Sequence, residues 1–220
     1  MGVPAYRFLP GTDKNGIHHN DNGLARFMKE AEVCHTEKRV ISPRKIPIIG
    51  TLGSGKTTLA EYLARDTGFP YASIDACRVR YSNSTVEGED FAWDHFLEIC
   101  GRPAPAILEF SGMGPHVGEV RDALCGSGIP VTIIWLLLPL DVCITRAMQR
   151  KKSVPAPYQW APIENAVPAI HDAIEYSWER TWCREEGFHA VRQEFRETAS
   201  VAEIYSVIKR DLFKPMNGRE

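Results

Sequence analysis

The eight residues Gly50-Thr51-Leu52-Gly53-Ser54-Gly55-Lys56-Thr57 constrain this chain more than any other stretch. They satisfy GxxxxGK[ST] at every fixed position, after the apolar run Ile46–Ile49 and before a segment in which Leu59 and Leu63 recur four apart. A strand, a glycine loop and a helix in that order form a phosphate cradle. Gly50, Gly53 and Gly55 let the backbone curl so that successive N–H groups point inward with no side chain in the way. The helix opening near Lys56 adds the positive end of its dipole. A triphosphate, with several charges close together, requires that density of donors. Gly50, Gly53, Ser54, Gly55, Lys56, Thr57 and Thr58 are therefore the expected nucleotide-binding residues. Lys56 reaches the β- and γ-phosphates and the Thr57 hydroxyl ligates Mg²⁺.

From Ile46 onward, short apolar runs alternate with longer amphipathic stretches. The runs are Ile46–Ile49, Tyr71–Ile74, Ala106–Phe110, Val131–Leu138 and Phe188–Val191. Helices are predicted over Lys56–Thr67, Glu87–Cys100, His116–Cys125, Asp141–Lys152, Glu164–Cys183 and Val201–Leu212. Continuous apolar runs separated by helices are the pattern of buried parallel strands. The expected fold is three-layer α/β/α around a five-stranded parallel sheet. Ile170, Ile174, Trp178 and Trp182, four apart, read as a core stripe. Residues 1–44 differ: a polar, turn-rich stretch to Gly23 precedes one short amphipathic helix carrying Leu24, Phe27, Met28 and Ala31. They read as a leader, partly disordered, that docks on the main domain or serves as a partner-binding arm. The adjacent pair His18–His19 in that loop carries no metal-site spacing.

Composition narrows the setting. The 220 residues, 44% hydrophobic and 25% charged, exclude disorder throughout, and a net charge of −2 argues against a wholesale polyanion binder. The longest apolar run, Val131–Leu138, is far short of the roughly 20 residues a bilayer requires. The N-terminus has no basic-then-apolar signal, Tyr6 spoils a myristoylation pattern, and Asp13, Asp21, Glu30 and Glu32 oppose a mitochondrial presequence. Six cysteines without a CxxC pair read as buried thiols in a reducing compartment. A cytoplasmic location is expected, with no membrane partner.

From Lys45 to Leu212 the chain resembles the small P-loop kinases of the adenylate, shikimate and gluconate kinase type. An NKxD guanine signature and an LSGGQ sequence, marks of the GTPase and transporter branches, are both absent. The resemblance implies a P-loop NTPase fold with sheet order 2-3-1-4-5 over residues 45–214, an arginine-bearing lid at about 146–165 and a tail at 215–220. It also implies ATP and Mg²⁺ as cofactors.

Such a kinase requires three further groups. The first is an acid beside the acceptor: Asp75, after strand two, positions or deprotonates the nucleophile, or else caps the next helix. Arg78 and Arg80 either hold an anionic substrate bidentately or are solvated surface arginines. The second is an acid on the strand beside the cradle. Glu109 stands where many relatives carry Asp, and holds Mg²⁺ through water or positions substrate. An ionised carboxylate at the end of an apolar strand demands a partner. The loop Ser111-Gly112-Met113-Gly114 after it resembles a substrate-binding loop, with Gly112 its candidate contact. The third is cationic charge from a lid. Arg146 and Arg150 lie at i and i+4, one helix face, followed by Lys151 and Lys152 and a proline-rich loop with Tyr158 and Trp160. In relatives the first such arginine packs on adenine and the second contacts phosphate. The stretch Arg196–Ser200 is where similar kinases wrap adenine with backbone, and Ser200 suits a helix cap.

The catalytic set is thus Lys56, Asp75 and Arg150, and the acceptor set Asp75, Arg78, Glu109 and Gly112. The leading reading is transfer of the γ-phosphoryl group of ATP to a small-molecule hydroxyl or phosphate. Two alternatives are a kinase acting on nucleic acid and a partner-regulated ATPase without an acceptor.

Overall fold

The computed structural model describes residues 41–150, 154, 155, 157 and 161–212. Five strands, β1 (Lys45–Ile49), β2 (Tyr71–Ser73), β3 (Ala106–Glu109), β4 (Val131–Leu137) and β5 (Phe188–Glu194), form one parallel sheet in the order β2-β3-β1-β4-β5. Seven described helices connect and cover them: α1 (Lys56–Thr67), α2 (Ile74–Tyr81), α3 (Val86–Gly101), α4 (Val117–Gly126), α5 (Leu140–Met148), α6 (Ile163–Ser177) and α7 (Val201–Leu212). None of them is long and apolar enough to cross a membrane.

The strands alternate their side chains between two cores, as a period of two demands. Ile46 and Ile48 of β1 join Ile134 and Leu136 of β4 in one core, with Leu59 and Leu63 of α1, Cys143 of α5 and Ile204 and Ile208 of α7. Ile49, Ile133 and Trp135 point to the other, among Phe96 of α3, Leu124 of α4 and Ile174 of α6. Trp178 and Trp182 belong to that second core, as the stripe predicts, but α6 ends at Ser177 and the chain continues through a π-helical turn over Trp178–Trp182. Ile41 and Arg44, ahead of β1, are buried as well.

Two features at the ends of elements position the site. Lys45 is fully buried, and its Nζ donates to the Ile99 carbonyl at 2.8 Å. The last turn of α3 carries no basic residue of its own, so this strand lysine supplies the cation its dipole favours. Gly112 has φ 90°, and a Cβ there would lie 2.6 Å from Ile49 Cβ, so the loop after β3 closes on β1 only with glycine. Of the five described cysteines, all free, Cys77, Cys100 and Cys143 are buried while Cys125 and Cys183 are exposed. The expectation of buried thiols therefore holds for three of these five. Burial pushes the Cys100 thiol up to about 12.

Candidate active site

The loop 50–55 joins the C-terminal end of β1, the central strand, to α1. Gly53 and Gly55 have φ 77° and 90°, the left-handed region that glycine tolerates. Gly55 is the N-cap of α1 and carries no side-chain cap, and a Cβ at that position would meet nothing within 4 Å. The first-turn N–H groups of α1 have no carbonyl one turn back within the helix, so they are donors facing an open space. Gly53 is glycine for a different reason: a Cβ there would collide with the Cys143 carbonyl at 2.2 Å. Ser54 Oγ is buried without a hydrogen-bond partner among the described residues.

Lys56 Nζ donates to the Thr51 carbonyl at 2.8 Å. Burial holds its pKa below the usual lysine value; Glu109 and Asp75 pull it back up, and Arg150 pushes it down again. Two acids and one arginine therefore converge on this ammonium. Thr57 Oγ1 donates to Glu109 Oε1 at 2.7 Å, and the Tyr71 hydroxyl donates to Glu109 Oε2. These two bonds provide the partners that a carboxylate at a strand end requires.

Beside the loop opens a cavity of about 370 Å³. It is lined by Gly53, Gly55, Thr58 and Leu59, by Arg146, Gln149 and Arg150 at the end of α5, and by Ala199, Val201 and Ile204. Backbone donors, two arginines and an apolar wall in one cavity fit a nucleotide, with the anionic end at the helix terminus. The hydroxyl of Thr57 beside a carboxylate is an oxygen donor set of the kind Mg²⁺ takes.

No family model matches the sequence, and no curated protein matches it. Solved structures do. The shikimate kinase from Acinetobacter baumannii in complex with shikimate is 19% identical, with 81% of this chain and 97% of that chain covered and a TM-score of 0.58. The shikimate kinase from Bacteroides thetaiotaomicron is 18% identical, over 77% of this chain and 96% of that chain, with a TM-score of 0.52. The chain has the P-loop kinase fold.

Within that fold the remaining predicted site residues are placed as follows. Asp75 lies in the first turn of α2, a helix the sequence reading missed; Ser73, not Asp75, is its cap, accepting from the Ala76 N–H at 3.0 Å. The Asp75 side chain is half-exposed, and Arg78 Nη1 donates to its Oδ1 at 3.3 Å. Arg78 is buried, its Nε between both oxygens of Glu89 at 2.9 and 3.0 Å. Arg80 lies over the ring of Tyr81, 5.2 Å from its centroid. Gly112 accepts from Trp182 Nε1 through its carbonyl at 2.9 Å.

Helix α5 ends at Met148, so Arg150 follows its C-cap instead of sharing a helical face with Arg146. Both nevertheless line the P-loop cavity. Of the lid, Lys151, Lys152, Ser153, Tyr158 and Trp160 lie outside the described residues, as do the leader through residue 40, the histidine pair and the tail. Ser200 caps α7 as expected, in a reciprocal pair: its Oγ accepts from the Glu203 N–H at 3.2 Å, and the Glu203 carboxylate accepts from the Ser200 N–H at 2.7 Å.

Sequence reasoning missed Tyr71, Glu89 and Gln149. Tyr71 opens β2 and reads there as an ordinary strand aromatic; nothing local marks its hydroxyl. Burial and the neighbouring Glu109 hold its pKa above the ordinary value, so it remains a donor. Tyr71→Phe leaves one Glu109 oxygen unsupported. The Mg²⁺ concentration for half-maximal activity is expected to rise about tenfold in this variant, and an Mg²⁺ titration at saturating ATP measures it.

Proposed function

We propose that this protein is an ATP-dependent kinase that phosphorylates a hydroxyl group of a small molecule. The observation that carries the reading is the electrostatic coupling of Lys56 to Asp75 and Glu109 and to Arg150, which lines the cavity. A nucleotide site needs the lysine and the arginine. It has no need of a half-exposed acid beside them, whereas phosphoryl transfer to an acceptor does. That acid also weighs against an ATPase without an acceptor, and the pairing of Arg78 with Glu89 removes a cation that a nucleic-acid backbone would want.

Each residue has a role in this reading. Gly50, Gly53, Ser54, Gly55 and Thr58 shape the cradle around the phosphates, and Lys56 neutralises the β- and γ-phosphates. Arg146 packs on adenine while Arg150 stabilises the transferring phosphoryl oxygens. Thr57 would hold Mg²⁺, with Glu109 acting through water and fixing the threonine hydroxyl. The metal supplies charge neutralisation to the phosphates. Asp75 orients the acceptor hydroxyl, whose oxygen bonds to the γ-phosphorus as the bond to the β–γ bridging oxygen breaks. ADP departs with that electron pair, and the hydroxyl proton passes to Asp75. Widely spaced cysteines without a CxxC pair, the five described ones free, favour a reducing compartment, and we place the protein in the cytoplasm.

The test is ATP consumption by the full chain with Mg²⁺ over a panel of nucleosides, polyols, sugar acids, amino alcohols and short oligonucleotides. Acceptor-dependent ADP release with a small alcohol is expected. Release driven only by oligonucleotides, or indifferent to every acceptor, would sink the reading.

A further inference from the structure

We infer that the acceptor site selects an alcohol without an anionic group, a neutral or cationic polyol or amino alcohol, because the arginine next to Asp75 is already committed to a protein carboxylate. The inference rests on the kinase reading above and names its substrate class.

Arg78 follows Asp75 by one turn of α2, and its Nη1 reaches Asp75 Oδ1 at 3.3 Å. In that position a guanidinium is the obvious receptor for a substrate carboxylate or phosphate. Its Nε and Nη2, the edge that forms a bidentate pair, are however already engaged by a protein carboxylate. Nε bridges Glu89 Oε1 and Oε2, and Nη2 donates to Oε1 at 2.5 Å. Trp93 Nε1 donates to the same Oε1 at 2.9 Å, so Glu89 is satisfied from two directions. The guanidinium carbon lies 5.7 Å from the Trp93 ring centroid, and His116 stacks on that indole at 4.3 Å and 22°. Arg78 and Glu89 are 8% and 7% exposed, so the pair is dry.

Turning Arg78 toward a substrate anion would strand Glu89 as a buried, uncompensated charge, which is the costly way to break such a pair. Asp75 and Glu89 set two carboxylates against the one guanidinium of Arg78, so this trio presents net negative charge through the half-exposed Asp75 carboxylate. Arg80, five residues after Asp75 on the same helix, is turned onto the Tyr81 ring, 5.2 Å from its centroid. Glu109 adds another acid, His116 faces Glu119 at 2.7 Å, and the Lys56 ammonium is assigned to the phosphates. An acceptor carboxylate would meet like charge among the described residues, whereas hydroxyls and ammonium groups would meet acceptors of hydrogen bonds.

The experiment compares matched acceptors on linear, carbocyclic and furanose polyol scaffolds, each carrying carboxylate, hydroxymethyl or aminomethyl at the same carbon. Gluconate, sorbitol and glucamine form the linear set. With the full chain and Mg-ATP, kcat/KM for the hydroxymethyl or aminomethyl member should exceed that of the carboxylate by about tenfold or more on any scaffold that is turned over. Glu89→Gln keeps the hydrogen-bonding shape but frees the arginine's charge, and should shift that ratio about tenfold toward the carboxylate with the KM for ATP unchanged. If this variant does not fold, the wild-type ratio decides alone. A wild-type preference for the carboxylate overturns the inference and leaves the kinase reading standing. Phosphorylation of no member by protein that binds ATP overturns the inference, and the kinase reading falls with it when the wider acceptor panel is inert as well.

Discussion

Lys56→Ala is expected to eliminate measurable turnover, a loss on the order of a thousandfold or more in kcat. The ammonium is the one lysine charge that the glycine loop places at the start of α1, and partial burial strips some of its water, which holds its pKa below the usual lysine value. A desolvated cation gains more from an arriving polyanion than a solvated one, because less water must be displaced and the local dielectric is low. As charge develops on the transferring phosphoryl oxygens, that gain increases, so the loss falls on kcat as well as on ATP affinity. The fold should survive. Lys56 Nζ donates to the Thr51 carbonyl, and its removal also relieves a partly buried charge. Steady-state kinetics alongside thermal melting separates the two effects: an unchanged melting temperature with lost turnover is expected, and unaltered activity refutes the assignment.

The sheet and the cradle were legible because both are local. The runs that become β1 and β4 are nearly all apolar on both faces, as they must be when α1 and α7 cover one side and α3 and α6 the other. Helices α1 and α7 match their predicted bounds residue for residue. What escaped were features whose physics lies between distant residues. Helix α2 has almost no apolar face to read, and its markers were Ser73 at the cap and Asp75 in the first turn, which a short Tyr71–Ile74 run obscured. Helix α5 stops at Met148, whereas the reading ran on to Lys152, since the amphipathic pattern carries no stop signal at Gln149. In sequence Arg78 reads either as a receptor for a substrate anion or as a solvated surface charge, until α3 folds back and brings Glu89, eleven residues later, onto its guanidinium. Tyr71 and Glu109 are 38 residues apart and meet only because β2 pairs with β3, with Ser73 opposite Glu109. The cradle is written in one octapeptide, whereas the charge state of the acceptor side depends on tertiary pairing.

Asp75→Asn is expected to lower kcat by on the order of 10²–10⁴-fold while the KM for ATP changes by no more than about threefold. The substitution preserves shape and an acceptor oxygen, so the 3.3 Å contact with Arg78 has a replacement. Ser73 caps α2 in either protein, and the half-exposed Asp75 side chain packs no core. What the amide cannot do is accept a proton or hold a hydroxyl by charge. The cavity that would hold the base is lined by residues of the loop, α1, α5 and the 199–204 segment, whereas Asp75 is held by Arg78 of α2. A structural Asp75 would behave differently: losing it would loosen α2, release Arg78 and lower stability, ATP binding and rate together. Kinetics at saturating ATP, ATP titration by calorimetry and a melting curve on the same variant therefore discriminate. Loss confined to kcat assigns Asp75 to the acceptor hydroxyl, and parallel loss of rate and ATP affinity rejects that role.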